Sequence, residues 1–154
     1  MFSEVKTYAP DDVYLTFGGY TVEGWNSITL KKRISEFRLI QGIRGKNTRV
    51  RNINTHATIE INVDMTSDLN QILSSIVSKD IATGGAVLYL SLIDKSGTEQ
   101  FSSNEAYVSG EADRTYDSTL SARVWTIECL NSRFNDGGNA ANNTSIFDMI
   151  GSLF

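Results

Sequence analysis

From Ala57 to Met65 the chain alternates without a break. Ala57, Ile59, Ile61, Val63 and Met65 are apolar, whereas Thr58, Glu60, Asn62 and Asp64 are polar. A period of two marks a strand with one buried face and one wetted face. Such a strand fits an antiparallel sheet, because parallel strands are covered on both faces and read as unbroken apolar runs. A single proline among 154 residues points the same way, since proline removes a donor from any ladder it enters.

Other elements follow on both sides. Val13 to Tyr20 reads as a first strand interrupted by Gly18 and Gly19. Ser27 to Arg33 alternates, with Ile28 and Leu30 opposite Thr29 and Lys31. Ile34 to Ile43 continues extended, Gly45-Lys46-Asn47 suits a turn, and Thr48 to Asn54 returns. Together these form a long hairpin arm, expected to be polar on both faces. A solvated hairpin is weak alone, so this one is expected to become ordered against something else. A helix is predicted over Asp68 to Lys79, where Leu69, Ile72, Leu73, Ile76 and Val77 make one apolar stripe. Ser67 serves as its N-cap, Asp68 lies in the first turn, Lys79 in the last, and Gly84-Gly85 closes it.

Ala86 to Ile93 is apolar on both faces and reads as a buried strand, followed by a tight turn at Asp94-Lys95-Ser96-Gly97. Thr98 to Ser102 and Ala106 to Ser109 read as short strands, and Thr119 to Leu130 as a long final one, with Trp125, Ile127 and Cys129 on one face. The expected fold is mainly β: an antiparallel β-sandwich or barrel with one packed α-helix over an opening and a long β-hairpin arm. One domain is expected over residues 1–130. Residues 131–154 are expected to be a polar linker, loose to Ser145 and jointed at Gly137-Gly138, with a short apolar extension from Ile146 to Phe154.

Charge is segregated along this order. Lys31, Lys32, Arg33, Arg38, Arg44, Lys46, Arg49 and Arg51 face a single acid, Glu36, a net of +7 within residues 31–51. The other residues hold six bases against seventeen acids, a net of −11. A basic arm on an acidic body attracts other copies of the same chain. Arg38, Arg44, Lys46, Arg49 and Arg51 are the candidate inter-subunit residues. Glu60, Asn62 and Asp64 lie on the polar side of the alternating strand, the side that meets solvent or a lumen. An alternative uses the arm at 31–51 to grip single-stranded nucleic acid, with its arginines on phosphates and Phe37 stacked on a base.

Catalytic chemistry finds little support. His56 has no second His and no Cys partner at zinc-ligand spacing, and no metal or cofactor is expected. Cys129 lies on an apolar face and reads as a buried, inert thiol, although a pairing with His56 stays open. The acid pairs Asp11-Asp12, Glu60/Asp64 and Glu111/Asp113 read as surface charge, and Gly18-Gly19 and Gly84-Gly85 lack the spacing of phosphate loops. An enzyme is not expected. No apolar run approaches the roughly eighteen residues that cross a bilayer. Met1 to Asp12 lacks the basic start and apolar stretch of a signal peptide, and one Cys allows no internal disulfide, so synthesis in a reduced cytoplasm is expected.

The order of elements resembles the tail tube proteins of contractile-tailed bacteriophages, whose fold is shared by the haemolysin-coregulated tube protein of type VI secretion. The resemblance spans about residues 13–130. It is carried by Val13-Tyr14-Leu15-Thr16-Phe17-Gly18-Gly19-Tyr20, the arm from Gly42 to Arg51 and the strand Thr58-Ile59-Glu60-Ile61-Asn62-Val63. The helix from Asp68 to Lys79 and Arg123-Val124-Trp125-Thr126-Ile127 complete it. The resemblance implies hexameric rings stacked into a hollow tube, an arm reaching neighbouring subunits, and an electronegative lumen that lets DNA slide. The implied partners are other copies of the chain, a tail sheath protein, baseplate and tail terminator proteins, and a tape measure protein and DNA held in the lumen without sequence specificity. The implied location is the virion, assembled in the host cytoplasm. A secreted type VI tube component is the alternative within this class.

Overall fold

The structure, a computed structural model, describes residues 5–32, 35–51, 55–135, 137 and 141–142. Among these residues the strands are β1 (Lys6–Thr7), β2 (Val13–Phe17), β3 (Tyr20–Val22), β4 (Ser27–Lys32), β5 (Phe37–Gln41), β6 (Asn47–Arg51), β7 (Ala57–Asp64), β8 (Leu88–Asp94), β9 (Gln100–Val108), β10 (Ala122–Asn135) and β11 (Ala141–Asn142). One helix, α1 (Leu69–Thr83), lies between β7 and β8. Seven strands form one antiparallel sheet in the order β3-β2-β8-β9-β10-β7-β4, while β5 pairs with β6 and β1 with β11.

The alternating segment behaves as its pattern requires. Ala57, Ile59, Ile61 and Val63 are fully buried, and Thr58, Glu60, Asn62 and Asp64 are half-buried on the opposite face. Ile61 stands opposite Trp125, Ile59 opposite Ile127 and Ala57 opposite Cys129, so β7 and β10 bring their inward residues together. On the other side of β7, Ile28 and Leu30 of β4 pair with Ile61 and Ile59. The sheet curls, and Ile28 and Leu30 share one cavity with Val13 of β2, Leu92 of β8 and Phe101 of β9. The mainly β, antiparallel architecture with a single packed helix is thus borne out.

The helix closes this core. Leu69, Leu73 and Val77 are buried, with Ile72 and Ile76 packed beside them, as the stripe predicts. The Ser67 hydroxyl accepts a hydrogen bond from the Leu69 N–H at 3.3 Å and donates to the Gly24 carbonyl at 2.9 Å. Ser67 therefore tethers the start of α1 to the β3–β4 loop. A polar residue that the stripe hides does as much. Asn70 is only 6% exposed. Its Oδ1 accepts from the Trp125 indole N–H at 2.9 Å, and its Nδ2 donates to the carbonyls of Asp64 at 2.8 Å and Ser67 at 3.1 Å. Every hydrogen-bonding group of that buried pair has a partner, as a low-dielectric interior demands.

Several boundaries differ from the expectation. Val13 to Tyr20 is a hairpin, with Gly18 (φ 59) and Gly19 (φ 86) as its two-residue loop. Both central residues of such a turn need positive φ, which glycine supplies without strain. A Cβ on Gly18 would also lie 2.5 Å from Leu88 Cδ1. The arm turns two residues earlier than expected, over Ile43-Arg44-Gly45, with the Gly45 N–H bonded to the Gly42 carbonyl. Helix α1 runs on to Thr83, so Lys79 is not in its last turn. Leu88 and Tyr89 are exposed, so that end of β8 is not a buried strand.

The two short strands expected between Thr98 and Ser109 are one, β9, and β10 runs to Asn135, five residues beyond Leu130. Both strands change face partway. In β10 the inward residues are Trp125, Ile127 and Cys129, then Ser132 and Phe134. The change falls at Asn131, whose φ is 51. In β9 the inward residues Phe101 and Ser103 give way to Ala106 and Val108 across exposed Asn104 and Glu105. Asn131 and Asn104 lie between the pairs Leu130–Glu105 and Ser132–Ser103, and β8 shifts register against β9 between Leu88 and Leu90. The Ser103 hydroxyl donates to the carbonyls of Leu130 and Glu105 at this crease. Phe134, beyond it, packs against Phe101 with ring centroids 4.9 Å apart. The expectations for Arg33, Ile34, residues 52–54, Gly138, residues 143–145 and Ile146 to Phe154 lie outside the described residues.

Two substitutions test the helix–sheet join in dilute subunit. Leu73→Ala removes a buried side chain and is expected to cost about 2–5 kcal/mol. Asn70→Ala strands the Trp125 indole N–H and is expected to cost about 1–3 kcal/mol. Thermal unfolding followed by Trp fluorescence checks both, and an unchanged midpoint for either would remove that contact from the account.

Candidate assembly interface

The arm is a two-stranded ribbon with its own ladder, running from Phe37 opposite Arg51 to Gln41 opposite Asn47. Every residue of β5 and β6 is exposed. At the tip the Gly42 N–H bonds to the Lys46 carbonyl at 2.7 Å, and Gly45 takes φ 78. Ile43 and Arg44 thereby stand at the crown of the turn, and Ile43 is 107% exposed.

The arm's charge is free to act outward. Its one acid, Glu36, is paired with Lys32, whose hydrogen bond holds the carboxyl below its ordinary value. Lys32 also lies 4.9 Å over the Phe134 ring, which anchors the root of the arm to the body. Arg38, Arg44, Lys46, Arg49 and Arg51 form no ion pair with any carboxylate among the described residues. Arg49 stacks over Phe37 at 4.2 Å.

The expectation of an arm polar on both faces is corrected. Alternation puts Phe37 and Leu39 on one face with Arg49 and Arg51, and Ile40 and Val50 on the other with Arg38. Phe37, Leu39, Ile40, Ile43 and Val50 are all exposed large apolar side chains. Aromatic and apolar groups mixed with arginine are the composition enriched at protein interfaces. The basic count hides this signal, although Phe37-Arg38-Leu39-Ile40 displays it.

Glu60, Asn62 and Asp64 sit on the outer sheet face, as expected of a strand whose other face is buried. Glu60 receives the Lys31 ammonium at 3.0 Å, and Asp64 accepts from the Asn26 amide at 2.6 Å. Glu128, on the same face of neighbouring β10, accepts from Thr58 at 3.2 Å. Each carboxylate is therefore oriented by a neighbour while staying accessible.

The residues considered for catalysis are not brought together in a usable way. Cys129 is completely buried, and burial pushes its thiol up to about 12. A nucleophilic cysteine needs the reverse shift, so a Cys129–His56 pair has no thiolate to use. Among the described residues no group of three His, Cys, Asp or Glu side chains could hold a metal ion. No helix among them is long and apolar enough to cross a membrane.

A curled antiparallel sheet, one capping helix and a cationic, apolar arm make up a tail-tube-like fold. Comparison with known proteins agrees. The chain is 23% identical over 164 residues to "Structural protein ORF10" of Pseudomonas phage KPP10, covering 99% of this chain and 95% of that protein. It also superposes on a chain in the cryo-EM structure of the anti-feeding prophage cap, the AFP tube terminating cap. There the TM-score is 0.55 at 9% identity, covering 85% of this chain and 92% of that one. No family model matches.

The buried thiol gives a direct check on the core. Cys129 is expected to resist iodoacetamide at pH 8 in the folded subunit and to react once in denaturant. Its folded value lies above the ordinary 9.0, so its contribution to stability is whole below about pH 9 and is lost as pH climbs toward 12. Labelling by mass spectrometry, with melting curves on either side of pH 9, tests both statements.

Proposed function

We propose that the chain is the tube subunit of a contractile phage tail, forming six-membered rings that stack into a channel for DNA. The observation that carries this reading is the arm: five cations without carboxylate partners among the described residues and five exposed apolar side chains, on a chain whose remainder is strongly acidic. An isolated subunit has no use for such a ribbon, whereas a neighbouring copy with the same acidic body answers it. Similarity along the whole chain to a phage structural protein supports the phage tube over the secreted tube and over the nucleic-acid module. Contacts between unlike surfaces of identical subunits close into rings or extend into filaments. The partners in this reading are further copies of the chain, sheath, baseplate, terminator and tape measure proteins, and DNA passing through the lumen. The product is a virion component made in the host cytoplasm. A second reading, favoured by the likeness to a tube terminating cap, is a single ring that ends a tube. Negative-stain images of the purified chain separate long particles from isolated rings.

Changing Arg44, Lys46, Arg49 and Arg51 together to Glu is expected to leave a folded subunit or isolated rings and to abolish long particles on size exclusion. Normal tubes from this variant would remove the arm as the electrostatic connector. In assembled wild-type tubes Glu60 and Asp64 face the lumen and repel the DNA backbone, over roughly 10 Å at about 0.1 M salt. Glu60→Lys with Asp64→Lys is expected to give tubes that retain double-stranded DNA, measured by co-sedimentation. Equal retention by variant and wild type would place these acids elsewhere.

A further inference from the structure

The cavity between edge strand β4 and strands β8 and β9 has a volume of about 350 Å³. Ile28 and Leu30 line it from one side, Leu92 and Phe101 from the other, and Asp94 and Glu99 supply carboxylates. Ile28, Leu30 and Leu92 are only partly buried, although they pack against the core. The cavity is thus an opening into the hydrophobic interior with acid beside it. Asp94 is committed within its own turn, where Oδ1 accepts from the backbone N–H and hydroxyl of Ser96. Glu99 forms no ion pair among the described residues, so its charge is available.

The arm tip carries the complementary pattern. Ile43 projects fully into solvent, Arg44 follows it, and Lys46 lies beyond the turn. The subunit's own arm is exposed along its whole length, so it does not fill its own cavity.

We propose that this cavity is the receptor for the arm tip of a second copy of the chain: Ile43 enters between β4 and β8, and Arg44 pairs with Glu99. The inference rests on the self-assembly reading and names the surface that the reading leaves open. An apolar knob with a flanking cation meets an apolar hole with a flanking anion, and each side satisfies what the other exposes. The two surfaces differ, so one copy gives its tip and offers its cavity at the same time.

Charge reversal in the full-length chain tests the pairing. Arg44→Glu and Glu99→Arg are each expected to lower the sedimentable fraction by about tenfold or more, since like charges then meet in the contact. The double variant in one chain is expected to recover assembly. So is an equimolar mixture of the two single variants, in which every mutant arm finds a mutant cavity and every native arm a native one. Ile43→Asp is expected to fail with no rescue by Glu99→Arg alone. Melting curves of each dilute variant, unchanged from wild type, show that folding is intact.

Wild-type chain that stays monomeric would overturn both the self-assembly reading and this contact. Wild-type polymer with full assembly by Glu99→Arg, or no recovery in the double variant and the mixture, would overturn the contact alone. So would loss of assembly on truncation after Ser145 with both charge variants still polymerising, because the occupant is then the apolar segment of residues 146–154. Ala141–Asn142 leads toward that segment and pairs with Lys6–Thr7, next in sequence to the cavity-lining Tyr8.

Discussion

The hydrogen bond from the Trp125 indole to Asn70 joins the two halves of the subunit. Trp125 is almost fully buried in the sheet and Asn70 in the first turn of α1, and the amide of Asn70 also holds the carbonyls of Asp64 and Ser67. The link between strand β7 and helix α1 is short, so three bonds from one side chain fix the angle at which the helix leaves the sheet. The stripe of Leu69, Leu73 and Val77 can then join the core cluster that also holds Ile59, Ile61 and Trp125. Apolar burial supplies most of the driving force. The buried amide supplies direction, because a slide of the helix by one position would leave the indole donor without an acceptor.

The body and the arm follow different rules. The body buries one face of a sheet and leaves the other polar, with its acids oriented by Lys31, Asn26 and Thr58. The arm has no core of its own and holds apolar and basic side chains on both faces. Its root is fixed by Lys32, which binds Glu36 and caps Phe134, and Phe134 in turn packs against Phe101. The ribbon thus springs from a firm base and is left unfinished along its length. That division is what an assembling subunit needs. One part folds alone, and another acquires its contacts from a neighbour.

The period-two run from Ala57 to Met65 and the stripe from Leu69 to Val77 were readable because each follows one period throughout. The arm's position and charge were readable too. Its apolar side chains were obscured, since Leu39 and Ile40 are adjacent and fall on opposite faces, which defeats a search for one apolar side. Asn70 was invisible because its importance lies in Trp125, fifty-five residues away in sequence. Tyr20 reads as part of the first strand because glycine does not show by itself whether a chain bends or turns back. The strand Ala122–Asn135 reads from its sequence as ending at Leu130 because its inward positions change from odd to even there. Asn131 and Ser132 resemble linker in composition, yet Ser132 is buried and Phe134 packs on the core.

The crease across β8, β9 and β10 also bears on how this sequence can vary. In β9 and β10 the inward residues obey one parity below it and the other above it, while β8 keeps one parity and shifts its register against β9 at the same level. Removing Asn131 alone would return β10 to one unbroken alternation and leave Asn104 as an extra residue of β9 with no counterpart across the pair. A matching change near Asn104 would keep β9 and β10 in step. Insertions and deletions among relatives of this chain should therefore come in sets at these positions, and an alignment that places a lone gap in one strand would misassign every residue beyond it.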